Sequence, residues 1–215
     1  MNSEENGMLA RFREPFSGFT HLAGAVLGLI GLVWLILLTA DDRPRMISMI
    51  IYGVSLVLLY SASAALHLIH ASPRGFKWLV RFDHAAIFAL IAGTYTPLCY
   101  NLLTGTWRWG MLGTIWALAV VGILYKLFWM NQSGHLSTLL YVGMGWIAVA
   151  AIPQWMDRLT PGAWALIVSG GLFYSVGAVI FAPTRRRART SRKSSTRTCM
   201  RPSRDGSRRS RRPSA

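Results

Sequence analysis

The chain has 215 residues, of which 53% are apolar and only 14% charged, and its formal net charge is +15. Soluble domains carry roughly a quarter of charged residues, so this composition excludes an ordinary water-soluble globular protein, and two cysteines exclude a disulfide-stapled scaffold. The positive charge is gathered near the C-terminal end, which excludes a body built as a nucleic-acid-binding domain.

In chain order, residues 1–18 form a polar segment carrying Glu4, Glu5, Arg11 and Arg13. Six apolar stretches follow, approximately Phe19–Ala40, Ile47–His70, His84–Leu103, Gly110–Trp129, Leu136–Gln154 and Ala163–Phe181, separated by short polar loops. A helix needs about 20 mostly apolar residues to cross hydrocarbon, and the nine Trp and seven Tyr suit aromatic belts at two interfaces. The 22 residues of the first stretch exceed the roughly 7–15 of a signal-peptide core, so it is predicted to be retained as a span. Helices buried in a soluble protein are the alternative for any one stretch, but six of them leave too little polar sequence to cover them. The predicted fold is an all-α integral membrane protein of six transmembrane helices over residues 19–182, followed by a disordered tail over 183–215.

Within the spans, Gly24, Gly28 and Gly31 share a helix face and allow close backbone approach, for packing within the bundle rather than dimerisation. Pro97 can kink the third span where neighbouring groups re-satisfy the freed carbonyl. Residues 184–215 hold 13 of the 23 Lys and Arg with Asp205 as the one acid. Such a segment cannot bury enough apolar surface to fold. It follows a span directly and lacks an aromatic stacking platform, so anionic lipid headgroups, or no partner, are expected before nucleic acid.

With the N-terminus inside, the inner segments carry six basic residues near the spans and the outer loops four, and the tail's basic residues reinforce the same side. The predicted topology is multi-pass in the cell (inner) membrane with a cytoplasmic N-terminus. Alternating spans then put His21, His67, His70, His84 and His135 at one face, with Glu14 and Asp83. Ser63 and His67, at i and i+4, lie on one helix side, which can offer an imidazole to a metal with a hydroxyl one turn deeper. Catalytic zinc takes three protein ligands and a water, for which Asp83 could serve as general base, orienting partner or ligand. Spacing alone leaves a second reading open: interfacial groups reaching toward headgroups, with Asp83 paired to Arg81 or capping the third helix.

The segments Glu14-Pro-Phe-Ser-Gly-Phe-Thr-His21, Leu59-Tyr-Ser-Ala-Ser63-Ala-Ala-Leu-His67, Phe82-Asp83-His84-Ala-Ala-Ile87 and Ala92-Gly-Thr-Tyr-Thr-Pro97 resemble, in this order, the hemolysin III branch of the progestin and adiponectin receptor family. Gly170 to Val179 resembles that family's sixth span, and the resemblance covers roughly residues 12–182. It implies seven spans and a zinc site near the cytoplasmic side, with His67 as one ligand and Ser63 and Asp83 near the metal-bound water. Two further ligands are implied from a His-x-x-x-His motif in a seventh span. This chain shows the basic tail at that place, as a shifted reading frame or truncated product would, and His21, His70 and His84 are the substitute donors. The implied activities are zinc-dependent hydrolysis of lipid amides, with Asp83 handling the proton and Ser63 polarising an oxygen, or a non-enzymatic role as pore-forming cytolysin or membrane-homeostasis factor.

Overall fold

The computed structural model describes residues 12–129, 135–156 and 158–177; the polar lead-in before Phe12, the end of the sixth predicted span and the basic tail lie outside the described residues. Among the described residues the secondary structure is helical, without strands. The helices are α1 (Pro15–Leu38), α2 (Arg43–Leu68), α3 (Pro73–Leu102), α4 (Gly105–Trp129) and α5 (His135–Trp146). A 3₁₀ segment (Ile147–Ala151) and α6 (Ile152–Trp155) continue α5, and α7 occupies 161–177. Among the described residues five stretches are long and apolar enough to cross a membrane, namely α1 to α4 and Ser137–Trp155. The sixth predicted span corresponds to α7, whose described part is shorter. The chain divides into two units, Met1–Leu172 and Phe173–Ala215, and the architecture below is that of the first.

Local chemistry sets the helix ends. α2 begins at Asp42, whose carboxylate accepts from the Arg45 amide at 3.1 Å, and α3 at Ser72, whose hydroxyl accepts from Gly75 N–H at 3.2 Å. Each cap precedes a proline in the first turn, where the missing N–H costs nothing. Gly105 opens α4 at φ +55°, a backbone conformation that favours glycine. The cap at Ser72 corrects one reading of the sequence. α3 starts ten residues before Asp83, so Asp83 is inside the helix and caps nothing. The early turns carry Arg74, Lys77 and Arg81 on a helix that the hydropathy pattern assigned to a loop.

Sequential helices pack as antiparallel neighbours, α1 on α2, α2 on α3 and α3 on α4, and α5 reaches both α3 and α4. The core lies along α3, where Phe88, Ala92, Tyr95, Cys99 and Leu103 meet Met111, Ile115 and Ala119 of α4, with Met144, Ala151 and Trp155 closing the far side. These positions recur at helical spacing and face one another. In lipid the driving force is close packing and interhelical hydrogen bonds rather than apolar burial. Both are present: an added Cβ at Gly93 would run into Ser55 of α2, and Trp116 Nε1 donates to Thr96 Oγ1 at 3.1 Å between α4 and α3. The outer surface is apolar, with Leu27, Ile30, Trp34 and Leu37 of α1 each at least 60% exposed, as a lipid-facing wall requires.

The end of α5 shows how a break is held inside a span. A regular helix through Pro153 would clash with the Val149 carbonyl and leave it without a donor, and the chain passes through a 3₁₀ turn before that proline. Tyr95 of α3 bridges the backbone where the 3₁₀ turn begins. Its hydroxyl donates toward the carbonyls of Met144 (2.7 Å) and Gly145 (3.1 Å) and accepts from Ala148 N–H (2.7 Å).

Candidate functional site

His67 occupies the last turn of α2, and Ser63, one turn earlier, is buried at 9% exposure. The partner of His67 comes from the segment leading into α1: its Nδ1 lies 2.7 Å from Glu14 Oε2. A carboxylate oxygen accepts, so Nδ1 carries a proton, and in the neutral ring the lone pair is then on Nε2. The two residues are joined again through the backbone, where Glu14 N–H donates to the His67 carbonyl at 3.0 Å. Arg13 extends the strap. Its guanidinium lies 3.5 Å from Glu14, reaches the Leu66 carbonyl at 3.4 Å, and stands 4.1 Å from the centroid of Phe76 on α3. α1 can approach α2 this closely because residue 18 is glycine; a Cβ there would collide with Leu68. His21, one turn into α1, stacks on His67 with centroids 5.4 Å apart and planes 13° from parallel, and stands 6.0 Å from the Tyr60 ring.

Asp83 belongs to a different pair. Its side chain is 14% exposed, and Oδ2 lies 3.4 Å from His84 Nδ1, which also donates to the Val80 carbonyl at 2.8 Å. Tyr141 of α5 donates to the His84 carbonyl at 2.8 Å and ties this part of α3 to the fifth helix. The alternative pairing of Asp83 with Arg81 is not formed; Arg81 instead lies 5.0 Å from the centroid of Trp78. His70 is exposed beyond the end of α2, and the His135 side chain lies outside the described residues. Lys126, one of the six basic residues expected at the inner segments, is buried at 3% exposure.

The predicted residues therefore gather toward one end of the helices, with Glu14 paired to His67 and Asp83 to His84. His67, Glu14 and His21 are neighbours, while the in-plane lone pairs of two nearly parallel stacked imidazoles do not converge on one ion. Among the described residues no group of three or more His, Cys, Asp or Glu is arranged to hold a metal. The described residues do not by themselves assemble the three-ligand zinc centre that the resemblance implies, and the place of the implied seventh span lies outside them. The Glu14 contact was not foreseen as a pairing. The sequence placed Glu14 and His67 at the same face, but 53 residues separate them, and only the packing of α1 on α2 specifies which carboxylate meets which histidine.

Fold and surface together define a multi-pass α-helical membrane protein with a polar centre at one face. The model of the family described as "Haemolysin-III related" matches residues 9–192. The chain is 40% identical over 170 residues to "Hemolysin-3" of Bacillus cereus, covering 78% of this chain and 77% of that protein. It is 36% identical over 171 residues to "Hemolysin-3 homolog" of Bacillus subtilis (strain 168), covering 78% and 79%. The chain belongs to the haemolysin-III related family.

Proposed function

We propose that the protein acts in the cell membrane, N-terminus toward the cytoplasm, as a membrane-permeabilising factor of the kind named by its Bacillus cereus relative, without chemical turnover. The observation that carries this reading is the division of the polar residues between two pairs, Glu14 with His67 and Asp83 with His84, where a hydrolytic site would bring its acid, base and ligands onto one point. The Glu14–His67 pair is well suited to fastening α1 to α2. The test is dye release from closed vesicles reconstituted with the full-length chain. Release well above that produced by an unrelated multi-pass protein at the same protein-to-lipid ratio is expected, and equal release overturns the proposal.

A second reading rests on the tautomer of His67. With Nδ1–H given to Glu14, Nε2 is left as a lone-pair donor, which is how carboxylate-oriented histidines ligate metals. In that reading His67 holds zinc near Ser63, Asp83 is the base, and the substrate is a lipid amide. Elemental analysis of the purified protein separates the two. Zinc retained by the native chain and lost in His67→Ala, with loss of lipid-amide turnover, favours the hydrolase; no zinc in either sinks it.

A further inference from the structure

At the histidine end, the interior of the bundle also holds Lys126, near the end of α4, and Ser137, in the first turn of α5, with 3% and 2% of their surfaces exposed. Polar groups enclosed within a membrane bundle are expensive and mark functional places. Packing one turn deeper brings these two together. An added Cβ at Gly122 of α4 would collide with the Phe88 ring of α3, and Phe88 meets the Tyr141 ring of α5 with centroids 4.4 Å apart. One helical turn from that layer toward the histidine end lie Lys126 on α4, His84 on α3 and Ser137 on α5, because residues four apart share a helix side. The Tyr141 hydroxyl, donating to the His84 carbonyl at 2.8 Å, spans the two layers.

Ser137 lacks what the other buried hydroxyls have. Ser48, Ser55, Thr94 and Thr96 each give their proton to a carbonyl three or four residues back in their own helix. Ser137 is the third residue of α5, so the carbonyls three and four before it precede the helix. Among the described residues its Oγ has no hydrogen-bond partner, and a buried hydroxyl in that state calls for a ligand or ion. The surroundings select a negative charge. The first turn of this 12-residue helix presents amide N–H groups without partners in the helix, at the positive end of its dipole. Lys126 adds a buried ammonium. The carboxylate of Asp83 is turned aside: Asp83 shares its helix side with Phe76, seven residues earlier, which lies against Arg13 of the strap between α1 and α2. With both side chains almost wholly enclosed, the place suits a monatomic ion and excludes a phosphodiester headgroup.

We infer that Lys126, the Ser137 hydroxyl and the first turn of α5 bind a small monatomic anion of the chloride class. The ion accepts the idle Ser137 proton, keeps the Lys126 ammonium charged in a dry setting and fastens the start of α5 to the end of α4. The site is independent of whether the protein permeabilises membranes or hydrolyses lipid amides.

Thermal unfolding of the full-length chain in detergent tests it, with potassium gluconate replaced stepwise by potassium chloride at constant ionic strength so that screening is fixed. The unfolding temperature of the native chain should rise with chloride and follow a binding curve, as an ion held by the folded state requires. Ser137→Ala removes a hydroxyl that has no partner in the fold, so its unfolding temperature in gluconate equals or exceeds the native one. Its half-effect chloride concentration rises about tenfold, through loss of one hydrogen bond to an ion. Lys126→Met keeps the length of the stem and abolishes the rise. A native chain indifferent to chloride overturns the proposal, and so does a chloride response that Ser137→Ala leaves unchanged, which assigns the ion to exposed basic residues. A sulfate response that Ser137→Ala weakens equally overturns the assignment to a monatomic ion.

Discussion

Single side chains decide how closely these helices approach. An added Cβ at Gly93 would run into the Ser55 side chain, whereas one at Gly31 would meet nothing within 4 Å. Gly93→Ala is expected to lower stability by about 1–3 kcal/mol through overpacking, with part of the loss recovered by Ser55→Gly. Gly31→Ala should be neutral or raise stability by up to about 1 kcal/mol through helix propensity; thermal unfolding of the purified chain in detergent checks all three. Gly31 also marks a limit of pattern reading. It shares its spacing with Gly24, where an added Cβ would stand 2.8 Å from the Tyr60 ring, and Gly28, beside Val57, yet no side chain of α2 stands against it. At the polar centre, Glu14→Gln keeps the shape of the side chain and removes the charge facing His67. Both groups are partly exposed, so the loss should be within about 1 kcal/mol. Faster hydrogen exchange at the Glu14 amide, which donates to the His67 carbonyl, would report the loosened strap, and unchanged exchange would show that the backbone contact alone holds it.

At the scale of elements, hydropathy located the spans but not their ends. α1, α2 and α4 begin four or five residues before the predicted stretches, and α3 begins eleven before, because helices continue past the hydrocarbon wherever caps and polar faces allow. Ser72-Pro73 carried the start of α3 in plain chemical terms, as a capping hydroxyl followed by a first-turn proline. Pro97 and Pro153 show why the rest was not readable. Pro97 sits inside an unbroken α3 and Pro153 follows a 3₁₀ turn, and the difference depends on Tyr95, about 50 residues distant, which bridges the backbone where the 3₁₀ turn begins. Tyr95→Phe leaves the Ala148 amide without its acceptor in a dry interior, at a cost of about 1–3 kcal/mol. A lower unfolding temperature, with accelerated hydrogen exchange confined to the segment around Ala148, is the expected result; exchange there equal to that of the native chain would remove Tyr95 from this role.

For the whole molecule, the order of spans was legible because it needs only counting, and it placed His21, His67 and His84 toward one face. How those groups pair was not legible, since Glu14 meets His67 and Asp83 meets His84 through helix packing that no local pattern encodes. The topology itself can be tested. In closed cells, with Cys199 replaced by Ser, Ser72→Cys and Asp41→Cys should react with a membrane-impermeant thiol reagent from opposite sides, because one lies in the α2–α3 link and the other in the α1–α2 link; Cys99, fully buried, stays silent. With the N-terminus inside, Asp41→Cys is the one labelled from outside. The packing also has a consequence in time. Each of α2, α3 and α4 touches its predecessor in sequence, so each can dock as it leaves the ribosome. Contacts between α3 and the fifth helix must wait for that helix to be made. Synthesis therefore delivers a four-helix precursor first, and the Tyr95 hydroxyl, closing on Met144 and Ala148, is among the last contacts to form.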